Sequence, residues 1–472
     1  MSAPAMSVAD RLVEQVLDLV RRQAPTAEAE VNAKTETVAL TRFANSFIHQ
    51  NVSDTTVTVQ LRLHVDGRTA SGATTVAGGP ADSDGLASLV ARTLRAISLL
   101  PVDEAWPGLT PPGGLAGSAP TRGWDPAVAD ASPATRAAVV RAFTEATEGL
   151  VAAGYCRTVG TIASFGNTAG QTCAGATSHV AVDGMARAAG ADGVARIQSA
   201  RLSDVDGAAL GAVAAAKARA GADPVDLEPG RYPVLLEPNA VSDLLQTLGM
   251  WGYNGKAVAE RRSFVDVGAP QLDPAINLAD NPLGADSPQL PFDPEGVERR
   301  RVELVKDGVS VAVAHDRRTA ADADGAQSTG HAQPPGWRTG PTPDSLLLAP
   351  ADAPTAPAAG RPVADEATAG LLQGMQRGLL VSDLWYTRVL DPRTLVVTGL
   401  TRNGVWLVER GEIVGPVTNF RFTQSYPGAL GPGNVAAVGA RASVIPAHWG
   451  EYHVSAPPLR LTSWNFTGGA AG

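Results

Sequence analysis

The 472-residue chain is 44% apolar and 18% charged, and its 38 basic and 47 acidic side chains leave a net charge of −9. That length supports two or three domains with a proper core, and the absence of any run of five or six basic residues removes the electrostatic footprint of a nucleic-acid binder. Two cysteines, Cys156 and Cys173, are too few for a disulfide framework or a cysteine-based zinc site, and no stretch of about 18 uninterrupted apolar residues offers a membrane span.

In chain order, residues 7–22 form the first expected helix. Ser7 and Asp10 stand at capping-box spacing, and Val8, Leu12, Val13, Val16, Leu17 and Val20 share one face. Charge at Asp10 and Arg11 interrupts any apolar core of signal-peptide length, so a reduced, cytoplasmic setting is expected. Strand-like alternation follows over 27–34 and 57–65, the second run ending at Asp66-Gly67, a hairpin signal. Helices are expected from Leu86 to about Leu99 and after Ser132-Pro133, where Ser is a good N-cap and Pro suits the first helical position. Between them, roughly 101–132 reads as a long connection. Strands return over 155–201, and a helix over 203–220 opens on Ser203 and Asp206 and stops at Gly221.

The run YPVLLE at 232–237 reads as a buried strand feeding a helix near 239–248. Residues 265–365 are rich in Asp, Pro, Gly and Ala around a strand-like VELVKDGVSVAVA. From Leu379 to Phe466, short apolar runs separated by Asn403-Gly404, Arg410-Gly411 and Gly431-Pro432-Gly433 predict an antiparallel meander. The expected fold is therefore α+β: an N-terminal region (1–225) of helices packed on antiparallel sheet, and a C-terminal, mostly antiparallel β region (226–472).

Most catalytic signatures are withheld. The HExxH zinc motif places two imidazoles one helical turn apart beside a Glu that takes a proton from metal-bound water. None of the seven histidines (His49, His64, His179, His315, His331, His448, His453) is followed by Glu. The nearest approach to a metal cluster is AHWGEYH, with His448, Glu451 and His453; on a strand only 451 and 453 would share a face. The chain has no G-x-S-x-G elbow, and neither cysteine sits in a nucleophile signature.

Several strings in order resemble one family, the TldD/PmbA or modulator-of-gyrase proteins. They are TRFANSFIHQN at 41–51, YPVLLEPNAVSDLL at 232–245, RRSFVDVG at 261–268, PFDPEGV at 291–297, STGHA at 328–332, and the long run from Trp385 to Ser425. The resemblance implies a cytoplasmic TldD–TldE heterodimer that degrades unfolded or leader peptides. In it the TldD-type subunit carries HExxxH on a helix of the middle segment, plus a C-terminal cysteine, as zinc ligands. Here the matching helix reads NAVSDLLQTLGMWGYNGKAV, without His, and no cysteine follows residue 173.

The resemblance thus points to the TldE/PmbA-like subunit. It implies no catalytic residue, no metal and no cofactor in this chain, with zinc in a TldD-like partner, a peptide as substrate, and a homodimer as an option for the isolated chain. Asn45, His49 and Gln50, ahead of a strongly alternating strand, are candidates for contacting peptide backbone, and turn-capping is the competing role. His331 and Arg421 are candidates for lining a shared chamber. Two rival readings stand beside it. One is a self-sufficient homodimeric peptidase with metal at His448, Glu451 and His453; the other is a peptide-binding modulator without proteolysis.

Overall fold

The computed structural model describes residues 7–76, 83–113, 117–118, 123–188, 190–284, 289–335, 338–351, 366–447 and 452–470. In the first half, α1 (Val8–Gln23) leads into the long strands β1 (Glu28–Ala44), β2 (Phe47–Val65) and β3 (Arg68–Val76). Then come α2 (Ser83–Ile97), β4 (Gly117–Ser118), α3 (Pro126–Ala129), α4 (Pro133–Ala146), β5 (Val151–Asn167), β6 (Thr172–Ala188), β7 (Ala191–Ser199) and α5 (Gly207–Ala220). The strands form one sheet in the order β3-β2-β1-β5-β6-β4, with β7 paired to β6.

Local chemistry explains the helix ends. Ser7 Oγ accepts from Asp10 N at 3.1 Å while Asp10 Oδ2 accepts from Ser7 N at 2.8 Å, which satisfies two of the orphan donors at the start of α1. Ser132 caps α4, with Pro133 in its first turn. The cap of α5 is Asp206 and not Ser203: Asp206 accepts from Ala209 N, while Leu202–Asp204 form a separate 3-10 turn. Both residues are good acceptors, and only the later one stands one residue ahead of the first helical turn. Asp66 (φ 47°) and Gly67 (φ 73°) supply the two left-handed residues of the β2–β3 hairpin.

All the helices of this half lie on one side of the sheet. Ala29, Val31 and Ala33 of β1 pack under α1 and α2, and Phe43, Ala152, Cys156, Val180 and Val182 pack under α4 and α5. Because side chains alternate along a strand, the intervening positions form a second, polar face. That face turns toward the rest of the chain.

The second half contains β8 (Gly230–Leu236), α6 (Pro238–Trp251), α7 (Gly255–Ala259), β9 (Leu278–Asp280), β10 (Val302–Lys306), β11 (Val309–Ser310), α8 (Arg317–Ala321), β12 (Ser345–Leu348) and α9 (Glu366–Leu372). It continues with β13 (Arg377–Asp391), β14 (Val396–Glu409), β15 (Glu412–Pro416), β16 (Phe420–Ser425), α10 (Tyr426–Ala429), β17 (Val435–Val438), β18 (Ser443–Pro446), β19 (His453–Ala456) and β20 (Leu459–Gly469). One sheet runs β11-β10-β9-β12-β19-β18. In the other, β13-β8-β20-β16-β14 closes on itself through a β13–β14 pairing. The meander expectation is thus replaced by a closed ring in which β8 and β13 are parallel. Asn403 (φ 59°) and Gly404 (φ 127°) are no hairpin: β14 runs straight through them, and the register of β13 against β14 shifts there. A bulge and a tight turn ask for the same positive φ, so the dipeptide alone does not separate them.

Helix α6 is held between these two sheets. Its Val241, Leu244, Leu245 and Leu248 share one core with Val234 and Leu236 of the ring and with Leu278, Leu304, Leu346 and Val454 of the other sheet. At roughly 1.5–3 kcal/mol per fully buried Leu or Val side chain, this shared core welds the second half into one unit.

Candidate functional site

The polar face of the N-terminal sheet and the loops of the second half enclose a cavity of about 580 Å³. The sheet contributes cross-strand rows, Thr58–Lys34–Ala163 and Glu36–Thr161–Thr177, set by the registers of β2, β1, β5 and β6. The opposite wall is the segment 289–299, with Ala332–Pro334, Asp344, Tyr452, His453 and Met250 from the end of α6.

The wall loop PFDPEGV is anchored from within. Asp293 Oδ1 accepts from Glu295 N (2.9 Å) and Val297 N (3.0 Å), and its Oδ2 accepts from Ala332 N (2.9 Å). Burial, reinforced by nearby Glu295, pushes the Asp293 carboxyl up to about 7, against the pull of those backbone donors. Gly296 has φ 69° and lies against the ring of Phe165, where a Cβ would come within 2.2 Å of Cε1. Its carbonyl accepts from Gln171 Nε2 at 3.1 Å.

Beside the loop, Arg62 bonds both Glu30 and Glu295 (3.1 Å to the latter), and Arg317 reaches Glu30 at 3.3 Å, so an ion network spans the two halves. Burial carries the Glu30 carboxyl up to about 7, although Arg62 pulls it down. Farther along the same sheet face, Arg196 is paired with Asp183 (3.0 Å) on β6 and with Asp383 (2.7 Å) of β13.

At the cavity's end, His179 of β6 and His453 of β19 meet edge to face, with ring centroids 5.4 Å apart. Gln198 Nε2 donates to His453 Nδ1 at 3.1 Å, which leaves the ring proton on Nε2. Burial lowers both imidazoles: His453 to about 4, and His179 well below the ordinary range, with His453 and Arg157 adding to the effect. Both are neutral at neutral pH.

Among the described residues the donor set does not fit a zinc centre. Among the described residues no group of three His, Cys, Asp or Glu side chains converges closely enough to hold a metal ion. On α6, the one carboxylate, Asp243, is taken up by Thr387 Oγ1 (2.9 Å) and Tyr426 Oη (3.2 Å). Cys156 and Cys173 are buried on the N-terminal sheet, their thiols pushed up by burial to about 11 and about 12. Of the AHWGEYH cluster, His448 and Glu451 lie outside the described residues; His453 belongs to the cavity wall.

The five positions favoured from sequence are dispersed, and none lines this cavity. Asn45 (φ 51°) and Ser46 (φ 64°) form the exposed tip of the β1–β2 hairpin, tied down by Ser46 Oγ, which donates to Leu150 O and accepts from Ala152 N. His49 is the extra residue where the register slips between Arg42↔Gln50 and Phe43↔Ile48, and both His49 and Gln50 are exposed. Arg421 projects from β16 opposite Leu400, also exposed. His331 is fully buried: its Nε2 lies 2.7 Å from Asp280 Oδ2 and its Nδ1 2.9 Å from Thr329, so it braces the strand behind the wall residue Ala332. Sequence reasoning passed over His179, Thr161 and Thr177. Their only signal was polar residues recurring every second position along strands.

Comparisons with known proteins agree with the fold. Residues 229–468 match the family model described as the PmbA/TldA metallopeptidase C-terminal domain. No curated protein matches the chain. Among solved structures, TldE from Thermococcus kodakarensis is similar at 17% identity and TM-score 0.78, covering 97% of this chain and 98% of that one. A Thermotoga maritima protein put forward as a modulator of a DNA gyrase gives 18% identity and TM-score 0.78 over 97% of this chain and 100% of its own. A Bacteroides thetaiotaomicron protein put forward in the same terms gives 17% and 0.79, over 98% and 100%. At these identities the likeness is one of fold.

Proposed function

Because this chain belongs to the TldD/PmbA family, whose C-terminal domain it carries over residues 229–468, we propose that it is the non-catalytic, TldE-like subunit of a metallopeptidase pair that processes unfolded or leader peptides. The observation that carries this reading is the state of α6. In the zinc-bearing subunits of the family this helix is expected to hold HExxxH. Here it holds no imidazole, and its one carboxylate, Asp243, is spent on Thr387 and Tyr426.

A TldD-like partner in the cytoplasm would then supply the zinc, the activated water and the polarisation of the scissile carbonyl. This chain would supply a dry, shaped wall that excludes bulk solvent and admits only extended chains. The fold is shared with TldE from Thermococcus kodakarensis, and the choice of the non-zinc side rests on α6.

The test is affinity purification from the native cell with protein identification and zinc quantification on one sample. Capture of a stoichiometric partner carrying HExxxH, with zinc leaving when that partner is removed, is the expected result. A zinc-containing homodimer that cleaves peptides by itself would overturn the reading and return attention to His448, Glu451 and His453. Unchanged peptide turnover by the partner in the absence of this chain would favour a non-proteolytic modulator.

A further inference from the structure

We propose that the cavity between the polar face of the N-terminal sheet and the 289–299 wall holds a short, extended peptide segment with uncharged side chains, gripped through its main-chain carbonyls. The inference rests on the peptide-handling reading above and adds where this subunit holds the peptide and what it selects. The volume, about 580 Å³, falls within the range of pockets that bury small ligands.

Two imidazoles on its wall carry ring nitrogens without partners. Among the described residues neither ring nitrogen of His179 is hydrogen-bonded, although the side chain is only 6% exposed and faces the cavity. His453, bonded to Gln198 through Nδ1, likewise has no hydrogen-bond partner at Nε2 among the described residues, and it too lines the cavity. A buried donor left unmade costs about 1–3 kcal/mol, so an occupant bearing acceptor oxygens recovers that loss at each.

The charges of the wall leave nothing over for a charged ligand. Lys34 is paired with Glu36 at 2.9 Å, and Glu36 also accepts from Thr161 at 3.3 Å. Arg299 grips Asp344 through both terminal nitrogens, at 2.7 and 3.2 Å. Asp293 is closed by its three backbone donors, and His179 and His453 are neutral. A charged side chain entering here would lose its water and find no free counter-ion, whereas an apolar one meets Met250, Leu290, Phe292 and Tyr452. Carbonyl acceptors spaced along a chain, with neutral side chains between them, are the chemistry of an uncharged peptide.

The experiment titrates the purified full-length chain with a blocked Leu-Ala-Leu-Ala amide and with its Glu- and Lys-substituted counterparts, by calorimetry. The neutral peptide is expected to bind, and each charged version to bind at least about tenfold more weakly. Thr58→Trp, which fills the cavity from the sheet side, should abolish binding. His179→Phe, which keeps a ring and removes the nitrogens, should weaken it by roughly three- to tenfold. Thermal unfolding of both variants confirms that they fold, and His179→Phe stands in if Thr58→Trp does not.

Equal binding of charged and neutral peptides, binding untouched by either folded variant, or no binding by the wild-type chain would each overturn the site. Partner capture is read separately on the same proteins. Pairing retained by Thr58→Trp with peptide binding lost supports the site within the complex. Peptide binding by a chain that captures no partner supports the site while overturning the heterodimer reading.

Discussion

Lys217 Nζ lies 2.6 Å from Glu237 Oε2, and both side chains are buried where the last helix of the N-terminal half meets the β8–α6 junction. Ser382 Oγ donates to the same carboxylate oxygen at 2.5 Å. Two ions removed from water persist only while each answers the other, so removing one partner leaves an uncompensated charge. Lys217→Met should therefore cost about 3–5 kcal/mol in urea unfolding, and Lys217→Met with Glu237→Gln should recover much of that loss. Additive losses in the double variant would show that the two groups are not energetically coupled.

Gly296→Ala tests the anchoring of the wall. The position combines a left-handed φ of 69° with a Cβ 2.2 Å from the Phe165 ring, so strain and overpacking act together. A loss of about 2–4 kcal/mol is expected, partly relieved by Phe165→Ala in the same chain, which vacates the clashing volume. A loss below about 0.5 kcal/mol would mean that the loop moves freely away from the sheet.

Asp293→Asn keeps the shape of the side chain but replaces one acceptor oxygen with a donor. The carboxylate receives N–H groups on both oxygens, from Glu295 and Val297 on one and from Ala332 on the other. Whichever way the amide turns, at least one backbone donor faces an NH₂ group: Ala332 N in one orientation, Glu295 N and Val297 N in the other. The substitution should cost about 1–3 kcal/mol although the carboxyl, pushed up by burial to about 7, is only partly charged near neutrality. Chemical denaturation at pH 8 reads the cost.

What the sequence made legible was local. Ser7 with Asp10, Ser132 with Pro133, and Asp66 with Gly67 each act on atoms a few residues away, and each stands in the structure as its spacing implied. The cavity was illegible because its walls come together only in three dimensions. Asn32 Nδ2 donates to Pro294 O across 262 positions, and Gln198 meets His453 across 255. Thr58, Thr161 and Thr177 read as the wet side of a sheet, which they would be had the second half not folded over them. His331 stood out because it sits in a family string, yet its bonds to Asp280 and Thr329 close it within the core. His179 stood in a bland strand and emerged as an imidazole open to the cavity, beside His453.

The histidine pair gives the chain an acid-sensitive limb. Burial first, with Arg299 and Arg157 contributing, holds His453 at about 4 in the folded state, against an ordinary value of 6.5. Above pH 6.5 the ring is neutral in both states and contributes nothing to the pH dependence. As pH falls from 6.5 toward 4, the unfolded chain takes up the proton first, so stability falls, by about 3 kcal/mol for the whole window. Glu30 and Asp293, both raised to about 7 by burial, act with the opposite sign: between the ordinary carboxylate range and 7 the folded state binds the proton more readily, so they gain stability on acidification. The two limbs partly cancel in the wild-type curve, and single variants separate them. His453→Gln should make the protein more resistant to acid between pH 6 and pH 4 than the wild type, whereas Glu30→Gln should steepen the acid loss over the same range. Urea midpoints measured across that window check both, and a His453→Gln curve parallel to the wild type would show that this ring is not held neutral by the fold.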